Sequence, residues 1–158
     1  MKKFLLSNKL GSSVLLFSAA VVLGACSAIL HIGPSGSLES GVLFKLVDPS
    51  SDNSPSKPKL REFSVHVHDR DGNLSVVWAA KGRSRTSVVE YGIPPKGMEE
   101  SITAARLLEA HVYSVNGIAS TSIMGPPATG IATFYVDLSG NVSPCDDLPS
   151  CWSKLDDK

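Results

Sequence analysis

The sequence predicts an all-β protein, a small β-sandwich with room for one short helix, and three observations lead to this fold class. Aromatic residues make up only 6% of the chain, which contains 13 glycines and 10 prolines, and this composition favours short strands joined by turns. The stretch EFSVHVHD at residues 62–69 alternates apolar and polar side chains, which is the period of a half-buried strand. About 130 residues follow the N-terminal apolar segment, enough for one domain.

The N-terminus has the pattern of a secretory signal peptide. Lys2 and Lys3 precede an almost uncharged apolar stretch that ends in small residues before Cys26, and a basic head with a short apolar segment is typical of exported precursors. A membrane-spanning helix needs about 20 predominantly apolar residues, whereas this stretch is shorter and is interrupted by glycine and serine. We therefore expect residues 1–25 to be cleaved.

The residues LGAC at 23–26 resemble the lipobox of bacterial lipoproteins. The resemblance implies cleavage just before Cys26 and acyl chains, such as palmitate, on this cysteine. Two or more chains hold a protein stably at a bilayer, so the expected partner is a membrane. Because Ser27, and not aspartate, follows the cysteine, the resemblance implies the periplasmic leaflet of the outer membrane. The alternative is an ordinary cleavage site followed by an incidental cysteine.

The charge of the mature chain does not favour nucleic acid as a partner. The full sequence has 15 basic and 15 acidic residues, and loss of residues 1–25 removes three lysines, which leaves 12 basic residues and a formal charge of −3. No basic patch suited to nucleic acid is visible along the sequence. No run of lysine or arginine follows Cys26 to hold anionic lipid.

Composition divides the mature chain into three parts. Residues 26–40 hold the lipidated cysteine and a flexible tether rich in Gly, Ser and Pro. Residues 41–142 form the β-sandwich, which begins with the strand candidate GVLFKLVDP. Residues 143–158 form a C-terminal tail with a disulfide loop.

Alternating apolar residues predict the core strands. EFSVHVHD and LSVVWAA are joined by the turn DRDGN, whose Asp-Gly pair tolerates positive φ. TSVVEYG and ATFYVDLSGNV are further core strands. The sets expected to share a face are Phe63, Val65 and Val67; Leu74, Val76 and Trp78; and Phe134, Val136 and Leu138.

The segment at residues 98–110 fits either a helix or a strand. Its Glu, Ala, Leu and Arg residues favour a helix, but its apolar residues form only an imperfect helical stripe. In an extended conformation it leads directly into the strand HVYSVNG.

Residues 61–142 resemble the fibronectin type III pattern, an immunoglobulin-like sandwich. Trp78, Tyr91, Leu107 and Tyr113 occupy the positions of a tryptophan on the second strand, a tyrosine on the third, and a leucine six residues before a tyrosine on the sixth. The resemblance implies that Trp78 fills the space between two sheets. It also implies that the Tyr113 hydroxyl bonds to nearby backbone as a corner clamp. The layout is also similar to that of small uncharacterised lipoproteins of proteobacteria, which indicates no activity.

Cys145 and Cys151 bracket the sequence CDDLPSC. In an exported protein such a pair is expected to form a disulfide, which would hold the tail with Trp152 packed nearby. The alternative is a metal site that uses both thiolates with Asp146 or Asp147.

His66 and His68 are the most plausible metal ligands elsewhere, because alternate residues of a strand point to the same side. Asp69 and Asp71 follow them, so a zinc site is an alternative to two ordinary exposed histidines. No serine lies in a GxSxG elbow and no glycine-rich loop has the lysine of a phosphate site. We therefore expect no cofactor, no metal and no catalytic residue.

These patterns favour a non-catalytic binding or structural role in the cell envelope, with an envelope protein as partner. The candidate contacts lie in the loops GIPPKGMEE and STSIMGPPATG, where apolar residues are expected to be exposed without a core role. Two alternatives are a toxin-neutralising immunity lipoprotein or secretion-system accessory, and a metal-dependent envelope enzyme. The four candidate contact residues are Ile93, Met98, Ile123 and Met124.

Overall fold

The computed structural model describes residues 29–47, 57–120 and 127–157. Two antiparallel sheets pack face to face and one short helix covers part of the structure, which confirms the predicted small all-β sandwich. Within the described residues the elements, in chain order, are β1 (His31–Ser37), β2 (Gly41–Val47), β3 (Lys59–His68), β4 (Leu74–Arg85), β5 (Val88–Glu90), β6 (Met98–Ile102), β7 (His111–Ser120), β8 (Pro127–Val136), β9 (Val142–Cys145) and α1 (Leu148–Asp156).

The smaller sheet has three strands in the order β1-β2-β5. β1 occupies residues 31–37, which the sequence analysis assigns to a flexible tether, so that part of the prediction is wrong. The glycines and Pro34 resemble a linker, but proline is tolerated in an edge strand, and Pro34 lies opposite Phe44 in a regular hairpin. Leu30, just before β1, is 1% exposed. Residues 29–40 therefore belong to the sandwich, which does not begin at residue 41.

The larger sheet has six strands in the order β6-β4-β3-β7-β8-β9. A bulge in β4 places Trp78 opposite Val65 and Val76 opposite His66, so Val77 is the extra residue. Because side chains alternate between faces, the extra residue reverses the alternation. Trp78 is buried between the sheets, whereas Val76 is exposed on the outer face. The prediction that Val76 shares a face with Trp78 is therefore wrong, and the same holds for Leu74.

Aromatic side chains connect the two sheets across the core. Phe44 of the smaller sheet lies with its ring centroid 5.3 Å from that of Phe63 and 5.7 Å from that of Phe134. Phe63 contacts Trp78, and Trp78 contacts Tyr91 edge to face at 5.4 Å. Such contacts stabilise the core by more than their buried area alone.

The end of β8 departs from the predicted pattern. Phe134 and Val136 are fully buried, but Leu138 is 64% exposed. β8 ends at Val136, and the carboxylate of Asp137 accepts bonds from the N–H groups of Ser139 and Asn141 in the following turn. The alternation therefore does not continue to Leu138.

Part of the strand order is like that of an immunoglobulin-type sandwich, in which strands A-B-E and C-F-G are neighbours, but β6 follows β5 in the chain and pairs with β4 in the other sheet. β1-β2-β5 correspond to the first set and β3-β7-β8 to the second. The Tyr113 hydroxyl accepts a bond from the Leu108 N–H (2.8 Å) and lies 3.3 Å from the Leu108 carbonyl, so the expected corner clamp is present. Trp78 lies between the sheets, as expected. It is on β4 and not on the second strand of the domain, because the strands β1 and β2 come before β3 in the chain.

The ambiguous segment at residues 98–110 is extended. Its first half is β6, which pairs with β4 with Met98 opposite Gly82. The Ala105 N–H then donates to the Val77 carbonyl (2.8 Å), and the Tyr91 hydroxyl donates to the Ala105 carbonyl (2.7 Å). These tertiary bonds outweigh the helix propensity of the residues.

The C-terminal tail packs on the outer face of the larger sheet. Asp147 caps α1 by accepting from the Ser150 N–H (2.8 Å), and Cys151 of α1 is joined to Cys145 of β9 with the Cα atoms 5.5 Å apart. The expected disulfide is therefore formed. Trp152 packs against the same small cluster as Cys151, as expected. No helix within the described ranges is long and apolar enough to cross a membrane.

Candidate functional site

Ile93 lies on the surface immediately after β5, and 55% of it is exposed. Its N–H donates to the Glu90 carbonyl (3.1 Å) in a tight turn. Gly92 provides the positive φ of 77° that this turn requires. Ile93 is therefore exposed on the surface, as expected, and its contact with a partner stays a prediction.

Met98 does not meet the expectation for a contact residue. It is 7% exposed and belongs to the hydrophobic core. The reason is the pairing of β6 with β4, where Met98 lies opposite Gly82 and a side chain at position 82 would collide with the Met98 backbone at 2.7 Å. This close approach places Met98 inside the domain. Ile123 and Met124 lie outside the described residues.

Two further apolar side chains accompany Ile93. Val88 is 47% exposed and Leu43 is 38% exposed, and the pairing of β2 with β5 brings them together although they are 45 positions apart in the sequence. They line a depression of about 380 Å³ with Ile93 and Pro94. We call this surface, defined by Leu43, Val88, Ile93 and Pro94, the Ile93 groove.

The open edge of β5 beside the groove is partly blocked. The N–H and carbonyl groups of Val88 point away from β2, because the residues next to Val88 in the sequence make the hydrogen bonds to β2. The Thr86 hydroxyl forms hydrogen bonds with both groups: it accepts from the Val88 N–H (3.2 Å) and donates to the Val88 carbonyl. The Glu90 carbonyl already accepts a hydrogen bond from the Ile93 N–H. The groove therefore presents apolar side chains, with Arg85, Glu90 and Lys96 also on its lining, and not a free strand edge.

His66 and His68 lie side by side on the outer face of β3, as the alternation predicts. His66 Nε2 shares a hydrogen bond with the Ser64 hydroxyl (2.9 Å), and His68 Nε2 shares one with the Ser114 hydroxyl (2.8 Å). Burial lowers the pKa of both imidazoles, and the neighbouring charge of His66 lowers the pKa of His68 further. Buried His66 Nδ1 has no hydrogen-bond partner among the described residues.

The acidic residues considered with these histidines have other roles. Asp69 accepts from both the backbone N–H (2.8 Å) and the side-chain amide (2.7 Å) of Asn73, which holds the turn between β3 and β4. In the part of the chain that the structure describes, no three His, Cys, Asp or Glu side chains are grouped so that they could hold a metal ion.

A basic cluster at one end of the sandwich is a feature that the sequence analysis missed. Lys59 and Arg61 of β3 meet Arg83 and Arg85 of β4 around a cleft of about 380 Å³. The sequence did not predict this basic patch, because the pair on β3 and the pair on β4 are more than 20 positions apart in the chain. The spacing K-x-R and R-x-R within adjacent strands was the available signal. We call these four residues the basic end.

Comparisons with protein-family models, with curated proteins and with solved structures find no match to this chain. The class that the fold defines is a small all-β sandwich with a helix packed on one outer face.

Proposed function

We propose that this chain is a lipid-anchored protein of the cell envelope, held at the outer membrane through acyl chains on Cys26, with a non-catalytic role in binding another envelope protein. The anchor is supported by the signal-peptide pattern and the LGAC sequence at 23–26. Only two residues separate Cys26 from Ile29, the first residue of the sandwich that the structure describes. The domain would therefore sit close to the bilayer without a long spacer.

The observation that carries the binding role is the Ile93 groove. Three large apolar side chains, each more than a third exposed, share one surface beside a turn held by hydrogen bonds. Apolar side chains grouped on a rigid surface are typical of protein contacts, where a few anchors contribute most of the binding energy. Because Thr86 occupies the edge of β5, we expect the partner to insert side chains and not to add a strand.

Site-specific crosslinking in the native envelope tests the binding role. A photoreactive residue at position 93 is expected to capture one protein reproducibly, and Val88→Asp in the same chain is expected to abolish this product. Position 138 is the matched control, because Leu138 is 64% exposed but lies in the β8–β9 turn next to the β1–β2 turn, whereas Ile93 follows β5 at the opposite edge of the smaller sheet. Equal capture from positions 93 and 138, or capture that Val88→Asp leaves unchanged, would contradict the proposal.

Metabolic labelling tests the anchor separately. Labelled palmitate is expected to enter the wild-type chain and not a Cys26→Ala variant, and globomycin is expected to block processing of the precursor. Incorporation that persists in Cys26→Ala would show that the acyl chains are elsewhere.

A further inference from the structure

The basic end concentrates like charges in the sheet. Lys59 lies directly opposite Arg85 in the pairing of β3 with β4, and Arg83 is two residues from Arg85 on the same strand. Like charges directly opposite each other in a sheet are destabilising. The repulsion between these charges therefore destabilises the isolated domain. A negative group that binds these residues from outside would relieve the repulsion and would explain the arrangement.

The described residues do not neutralise this charge. Their ion pairs join Arg70 to Asp156 and Lys81 to Glu62, and neither involves the basic end. Arg61 donates to the hydroxyl of Ser120, which is uncharged. All four basic side chains are exposed around the cleft, so their charges can contact an anion without displacing an internal carboxylate.

The basic end lies where the chain enters the sandwich. Lys59 is paired with Ser120, and Ser120 is paired with Pro127 at the start of β8. Two residues further along β8, Thr129 forms a bridge with Ile29. Neighbouring strands are about 4.8 Å apart, so Ile29 and the basic end occupy the same end of the domain.

This position relates the basic end to the proposed anchor. The three residue steps from Cys26 to Ile29 can span at most about 10 Å, so acyl chains on Cys26 would hold this end of the sandwich near the headgroups. Guanidinium groups bind phosphate with paired hydrogen bonds, and lysine binds it as a compact charge.

We propose that the basic end binds the phosphates of anionic phospholipids beside the acyl anchor and so orients the sandwich on the bilayer. This inference rests on the proposed anchoring through Cys26. The same geometry directs the far end of the sandwich, with Arg106 near the β1–β2 turn, away from the membrane.

Arginine modification in vesicles tests the proposal. The full processed chain is purified in neutral detergent and reconstituted into vesicles of phosphatidylcholine alone or with about one third phosphatidylglycerol. Phenylglyoxal modification of individual arginines is then measured by mass spectrometry.

We expect phosphatidylglycerol to slow modification of Arg83 and Arg85 about tenfold, with Arg106 unchanged as the internal control. Each basic residue near an anionic surface contributes about a fivefold effect on binding, so Lys59→Gln is expected to reduce the protection about fivefold. Lys154→Gln in the last turn of α1, at the end of the sandwich where Asp156 pairs with Arg70, is expected to leave it unchanged.

The outcomes separate this inference from the anchoring. Flotation with phosphatidylcholine vesicles at high salt reports the acyl anchor alone, because salt screens the charge contacts. A chain that floats but shows equal modification of Arg83 and Arg85 in both vesicles would overturn the headgroup proposal and leave the anchor intact. Protection by inorganic phosphate in phosphatidylcholine vesicles, equal to that by phosphatidylglycerol, would assign the site to free phosphate and would also overturn it. A chain that does not float with phosphatidylcholine refutes the anchor, and with it the inference.

Discussion

Gly130 is the residue on which the entry of the chain into the sandwich depends. A Cβ atom at position 130 would lie 2.0 Å from the Leu30 carbonyl oxygen and 2.9 Å from the Leu30 carbonyl carbon. Because both are backbone atoms, Gly130→Ala has to displace the segment before β1. That segment is held by the Leu30 side chain, which is 1% exposed, and by the bond from the Leu30 N–H to the Thr129 carbonyl (3.0 Å).

The expected loss of stability follows from these two interactions. Returning the leucine side chain to water costs about 2 kcal/mol, and the lost hydrogen bond costs about 1 kcal/mol. Gly130→Ala is therefore expected to lower the free energy of unfolding by about 3 kcal/mol. For a domain of this size the melting temperature should fall by about 10 °C.

Urea unfolding followed by tryptophan fluorescence measures the effect, because Trp78 is fully buried in the core. Gly33→Ala in β1 is the matched control, since its Cβ would meet nothing nearer than the Lys45 carbonyl oxygen at 3.9 Å. Its free energy of unfolding should stay within about 0.5 kcal/mol of wild type. If Gly130→Ala is as stable as Gly33→Ala, Ile29 and Leu30 are not packed into the fold, and the assignment of residues 29–40 to the sandwich is refuted.

Three further predictions concern the clamp, the histidine pair and the loop after β5. Tyr113→Phe removes the hydroxyl that bonds to the preceding loop and should lower the free energy of unfolding by about 1–2 kcal/mol in urea unfolding; an unchanged value would mean that the clamp contributes nothing. The pKa values of His66 and His68 are lowered in the folded state. The unfolded state therefore binds more protons than the folded state as pH falls through 6.5. The free energy of unfolding should be at its full value above that pH and decrease below it. The double variant with Asn at both positions should reduce this decrease in thermal unfolding measured between pH 5 and 7.5, and an identical slope would assign it to other groups. Ile93→Asp should leave the free energy of unfolding within about 0.5 kcal/mol of wild type, whereas Met98→Asp buries a charge and should cost at least about 3 kcal/mol; equal effects on stability would contradict the different burial of the two residues.

Local patterns were sufficient for those parts of the fold that depend on neighbouring residues in the chain. The alternation in β3 predicted its buried face, with Phe63 and Val65 inside. The Asp-Gly pair predicted the turn after β3, and Gly72 has a positive φ of 85° there. The resemblance to the fibronectin type III pattern implied the corner clamp of Tyr113, whose contact with Leu108 lies within a few residues in the chain.

The same local patterns misled where pairing partners decide the structure. A glycine- and proline-rich segment predicts a tether, yet β1 is ordered because β2 offers a partner along its whole length. Met98 is expected in an exposed loop, but β6 closes against Gly82 and buries it. The helix propensity of residues 98–110 is overcome by bonds to β4 and to Tyr91.

By itself the sequence determined the all-β class, the positions of most core strands, the disulfide between Cys145 and Cys151 and the expectation of an acyl anchor at Cys26, because each depends on periodicity or on residues close together in the chain. Only the tertiary structure decided that an extra residue in β4 turns Val76 outward while Trp78 stays inside. It also decided that Lys59 faces Arg85 and that Leu43 joins Ile93. Strand register controls these contacts, and register depends on the packing of the whole core and not on any single stretch of sequence.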